Sequence, residues 1–129
     1  HKVVLTLELA KQFASHVYAV GLLADDEASK KPAMEVMLHQ VATAAKDKGV
    51  ACSTELLLDV KNRAVATVKY CEKIGGDLIS IMTDQDAELS GFFLGPYALQ
   101  VIHHSKVPVL SIKPEEHPEN VTWTMLSGT

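Results

Sequence analysis

The chain is poor in most of what would mark a chemistry. No apolar run approaches the ~18 residues of a membrane-crossing helix, so none is expected, and no signal peptide is visible. Basic residues are not in excess: 12 Lys and Arg against 16 Asp and Glu leave a net charge of −4, which gives no footprint for nucleic acid. Cysteine is scarce, and Cys52 and Cys71 do not have zinc-site spacing. Two reduced thiols and a cytoplasmic setting are the expectation. There is no Gly-x-Ser-x-Gly elbow for a hydrolase nucleophile and no Walker loop. His103 and His104 are adjacent on a predicted helix and point about 100° apart, so they do not chelate a metal. His39 reads as a boundary residue, and His16 and His117 lie at element ends. Asp25-Asp26 and Glu115-Glu116 fall in polar segments and read as solvated surface. With no convergent catalytic set, no enzyme is expected.

What the chain does have is a regular alternation of hydrophobic patterns. Its 129 residues, 47% hydrophobic and 22% charged, suit one domain with one sizeable core. Val4, Leu5, Leu9 and Phe13 predict a helix over residues 2–14 with that face inward. Val17 to Leu23 is a nearly continuous apolar run and predicts a strand covered on both faces. Asp25 to Lys31 is polar and predicts a loop. Met34, Met37, Leu38, Val41 and Ala45 then mark an amphipathic helix closed by Gly49. Ala51 to Val60 predicts a second strand. Ala64, Val68 and Cys71 mark a third helix, stopped by Gly75-Gly76. Leu78 to Met82 predicts a third strand. A fourth helix starts near Pro96 and buries Ala98, Val101 and Ile102, and Val109 to Ile112 is the last strand. Alternation of helix and strand implies a parallel sheet with right-handed crossovers. Pro114 to Thr129, with Trp123 and Met125, is too short for a domain and reads as a tail or linker.

Three segments keep a particular register: Gly76-Asp77-Leu78-Ile79, Leu94-Gly95, and Val107-Pro108-Val109-Leu110. In this the chain resembles the nucleotide-binding half of the universal stress protein family. The resemblance extends over residues 1–113 in element order and is specific over residues 75–113. It implies an α/β fold of the adenine nucleotide alpha hydrolase-like type, an open parallel five-stranded sheet with helices on both faces and strand order 3-2-1-4-5. The family's first, central strand would precede residue 1, so the resemblance implies that this strand is missing from the sequence shown. It also implies association through the last strand, Val109, Leu110, Ser111 and Ile112, as a homo-oligomer or with a tandem domain.

The resemblance further places a nucleotide site at Met82, Thr83, Gln85, Gly95, Pro96 and Tyr97. In the family a glycine pattern here lets backbone amides approach phosphate at a helix N-terminus. In this chain Met82 and Gln85 stand at two of the glycine positions and Pro96 at the Ser/Thr position. Proline supplies neither hydroxyl nor N–H. Asp84, Asp86 and Glu88 add negative charge between them, and Phe92 and Phe93 follow. The family's Gly-x-Pro turn after its third strand is replaced by Asp59-Val60-Lys61. The expectation is a stress-response domain acting by association, with nucleotide binding lost or weakened and no cofactor. The alternative is an ATP- or AMP-responsive switch in a full-length or tandem-domain protein.

Overall fold

The computed structural model describes residues 2–82, 95–113 and 122–126. Thr83, Gln85, Asp84, Asp86, Glu88, Phe92, Phe93, Glu115, Glu116 and His117 lie outside the described residues. The chain divides into two compact units, His1–Lys61 and Asn62–Thr129.

In the first unit, α1 (Lys2–Gln12) leads into β1 (His16–Leu22). A 3-10 helix (Asp25–Lys30) replaces the expected loop, and α2 (Lys31–Lys48) and β2 (Ala51–Leu57) follow. The short helix forms because the Ala24 N–H donates to the Glu27 carboxylate at 2.8 Å, tying its first turn. Gly49 takes a left-handed φ of 73° and its N–H caps α2 at Ala45 and Lys46, a position that suits a residue without Cβ. β1 and β2 pair in parallel from His16↔Ala51 to Leu22↔Leu57. Leu7, Ala10, Ala45 and Val50 form the core, joined by Val3, Val17, Ala44 and Cys52.

Two expected inner faces are corrected. α1 buries Leu7 and Ala10, whereas Phe13 is 74% exposed and Val4 lies at the surface. The segment Val3-Val-Leu-Thr-Leu carries apolar groups on most of its circumference, so the side that faces inward is chosen by Ala45 and Val17 rather than by the helix's own period. On α2, Met34, Leu38, Val41 and Ala45 turn inward while Met37 is exposed. Met37 belongs to the flank of that row.

In the second unit, α3 (Arg63–Ile74), β3 (Ile79–Met82), α4 (Gly95–His104), β4 (Val109–Lys113) and β5 (Thr122–Leu126) follow in order. Asn62 caps α3 by accepting the Val65 N–H at 3.0 Å. Gly75, at φ 68°, closes it. The helix faces are those predicted: Ala64, Val68, Cys71, Ala98 and Val101 are buried with Ile79, Ile81 and Val109, and Ile102 packs against them. β3 and β4 pair in parallel, Ile79↔Val109 to Met82↔Ile112. Consecutive residues Val109 and Leu110 are both buried, so β4 is covered on both faces. Ser105, 2% exposed, sets the turn into β4. Its hydroxyl donates to the Val107 carbonyl at 2.8 Å and accepts the Val107 N–H at 3.1 Å.

The strands are parallel within each β-α-β unit, yet they form two sheets rather than one of five strands: β1-β2, and β3-β4-β5. Among the described residues, β1 finds a ladder partner only in β2, and β3 only in β4. The third member of the second sheet comes from the segment read as tail: β5 lies antiparallel on β4, Val109↔Leu126 through Lys113↔Thr122. The edge of Val109, Leu110, Ser111 and Ile112 that was expected to meet a partner is therefore occupied by the chain's own Thr122–Leu126.

Candidate functional site

α3 and α4 each precede the strand they feed and run antiparallel to it. Their first turns therefore lie beside the carboxyl ends of β3 and β4, where ligands gather in open parallel sheets. Met82 closes β3, and Gly95, Pro96 and Tyr97 open α4. Four of the six expected residues thus occupy one end of the second sheet, while Thr83 and Gln85 lie outside the described residues.

Pro96 is exposed at the second position of α4. Its fixed φ suits a first turn, and its missing N–H is one that the helix would not use internally. The same absence removes a donor that an anion at the helix start would accept. Tyr97 turns inward. Its hydroxyl lies 2.8 Å from Thr67 Oγ1. Thr67 already spends its single proton on the Arg63 carbonyl at 2.8 Å, so Tyr97 is the donor in the pair. Burial pushes the Tyr97 phenol above its ordinary value, against a weaker lowering pull from the Arg63 charge. Tyr97 thus latches the first turn of α4 to the N-terminal half of α3. Thr67 and Arg63 are residues that sequence reasoning missed. Asn62, with its cap to Val65, was the one signal that could have marked this end of α3.

The other expected candidates stay apart. His103 and His104 are both exposed, their rings edge-to-face at 5.9 Å. His39 is exposed on α2. His16 stacks on Tyr18 at 4.4 Å and hydrogen-bonds Ser53 Oγ at 2.8 Å, on the exposed side of β1 and β2. No carboxylate bonds that ring among the described residues, so the pair lacks the third group that orients a catalytic dyad. Glu8, Lys11, Gln12 and Lys48 line an open cleft, with Lys48 Nζ 3.9 Å from Glu8. Among the described residues no His, Cys, Asp and Glu cluster could hold a metal ion, and no helix is long and apolar enough to cross a membrane. Cys52 is half-buried and Cys71 buried, both as free thiols. Burial raises both thiols, with Asp77 and Glu72 adding to the shift at Cys71. Neither thiol is activated. Asp59 holds a left-handed φ of 55° just past β2.

Residues 5–113 match the universal stress protein family. Universal stress protein MJ0531 of Methanocaldococcus jannaschii is 32% identical over 122 residues, an alignment that takes in 83% of this chain and 70% of that relative.

Proposed function

The chain belongs to the universal stress protein family, and from that premise we propose that it is a stress-response domain that acts by association, with nucleotide binding weakened or lost. Pro96 carries the reading. It stands exposed in the first turn of α4, where the family uses a Ser or Thr, and it offers a triphosphate neither hydroxyl nor amide. Met82 and Gln85 stand where the family resemblance places two glycines, and glycine is the residue that lets backbone approach phosphate closely. The Tyr97–Thr67 bond gives α4's first turn a structural task instead.

Residues 1–113 are taken as the family domain and residues 114–129 as its tail. No catalytic step and no cofactor are assigned, and the proposed setting is cytoplasmic. The proposed partner is a second copy or a tandem domain.

A second reading, an ATP- or AMP-responsive switch in a longer or tandem protein, draws support from Asp59. It keeps left-handed backbone where the family places the glycine of its Gly-x-Pro turn, so the shape of that turn survives the change of residue. Calorimetric titration with ATP separates the two. The chain should bind no tighter than about 1 mM, and restoring Met82→Gly, Gln85→Gly and Pro96→Ser together should bring measurable binding. Micromolar binding by the unaltered chain would favour the switch.

A further inference from the structure

We propose that Ser53 is a site of covalent acylation, with His16 as the base that takes its proton and a small uncharged thioester as the acyl donor. Strand alternation separates these residues from the core. Val17 and Cys52 pack against the cluster of Leu7, Ala10, Ala45 and Val50 on the helix side of β1 and β2. His16, Tyr18, Ser53 and Glu55 therefore belong to the opposite face, and all four are exposed. The register sets Tyr18 beside Ser53. His16 Nε2 lies 2.8 Å from Ser53 Oγ, and the His16 ring stacks on Tyr18 with centroids 4.4 Å apart and planes 21° apart.

That contact makes a nucleophile of an ordinary hydroxyl. With the ring proton on Nδ1, Nε2 accepts the Ser53 proton, and the bond becomes the path of proton transfer when Oγ attacks a carbonyl. Tyr18 holds the ring by stacking, in place of the carboxylate that orients a dyad. In the step, the Ser53 Oγ–C bond forms and the thioester C–S bond breaks. The proton passes to His16 Nε2 and then to the departing thiolate, so a thiol leaves and His16 is restored. Strand amides lie in the plane of the ladder rather than out of its face, so they supply no donors for an oxyanion. The site accordingly takes one acyl group and keeps it, and does not turn over. Glu55 lies two residues along the same face and disfavours an anionic donor. Cys52 belongs to the helix side, and burial raises its thiol, which leaves the hydroxyl as the acceptor. The ester has no proton to share, so acylation also breaks the His16–Ser53 bond.

The test is incubation of the chain with S-acetyl-N-acetylcysteamine, with acetyl groups mapped by peptide mass spectrometry. Ser53 should react at least tenfold faster than Ser29, an exposed serine on the 3-10 helix, since a positioned base contributes a factor of about 100 or more. His16→Gln keeps a polar side chain but no base, and should bring Ser53 down to the Ser29 rate with an unchanged circular dichroism spectrum. Tyr18→Ala should slow the reaction and Tyr18→Phe should not; full reactivity in Tyr18→Ala overturns the part assigned to Tyr18. Equal rates at Ser53 and Ser29 in the unaltered chain overturn the proposal with no variant needed. Full Ser53 reactivity in His16→Gln, or acetyl carried by Cys52 in place of Ser53, overturns it as well.

Discussion

Ser105→Ala probes how the chain holds β4, the strand from which the second sheet is built. Ser105 is 2% exposed, and its hydroxyl makes two bonds to one residue, donating to the Val107 carbonyl at 2.8 Å and accepting the Val107 N–H at 3.1 Å. The substitution removes both bonds and opens a small void. Each bond contributes about 1 kcal/mol net, and a buried group left without its partner costs about 1–3 kcal/mol. Val107 is half-buried, so water recovers part of the loss. The expected cost is about 2 kcal/mol, or a fall in Tm of roughly 8 °C for a chain of this size. Urea unfolding followed by tryptophan fluorescence is the suitable assay. The single tryptophan, Trp123, lies in β5 of the same unit, so the signal follows the unit that Ser105 belongs to. Ser29→Ala, at an exposed position, is the control and should stay within about 0.5 kcal/mol. A Ser105→Ala chain as stable as the control would show that the hydroxyl does not set the turn into β4.

Two further perturbations test packing and ionisation. A Cβ at Gly21 would sit 2.7 Å from Met34 Cγ, 2.9 Å from its Sδ and 3.1 Å from Leu56 Cδ1; Gly21→Ala should therefore cost about 1–3 kcal/mol, and Met34→Ala in the same chain should cancel part of it, whereas strictly additive losses in urea unfolding would place the cost elsewhere. Burial raises Tyr97 above 10.0 and Cys52 and Cys71 above 9.0, so the unfolded chain ionises first as pH rises. The stability these groups contribute is full below about pH 9 and is lost as pH climbs through their raised values; Tyr97→Phe should flatten the decline above about pH 10, and a urea midpoint level from pH 8 to 11 would refute the assignment.

Much of this fold could be read from residue patterns, and the exceptions have physical causes. β1 to β4 and α2 to α4 were legible because periodicity, Gly49 and Gly75 agree with one another over whole elements. The inner side of α1 was not, since its apolar residues surround the helix and packing against Ala45 selects the face. β5 escaped notice because five uncharged residues form a strand only when an edge such as β4's is present to pair with them. For the candidate site, the register of Gly76 to Ile79 and of Gly95-Pro96 pointed to the end of β3 and the start of α4. The Tyr97–Thr67 latch joins residues thirty positions apart, and no local pattern encodes it. The division into two sheets reflects long-range pairing, which no local pattern encodes.

The most direct test of the central claim, a universal stress protein domain that associates without nucleotide, is native mass spectrometry of the chain with and without ATP. The account predicts the same dimer in both samples, with no ATP adduct at about 100 µM, a concentration far below a millimolar Kd. A chain that takes up one ATP per copy, or that dimerises only when ATP is present, would contradict it.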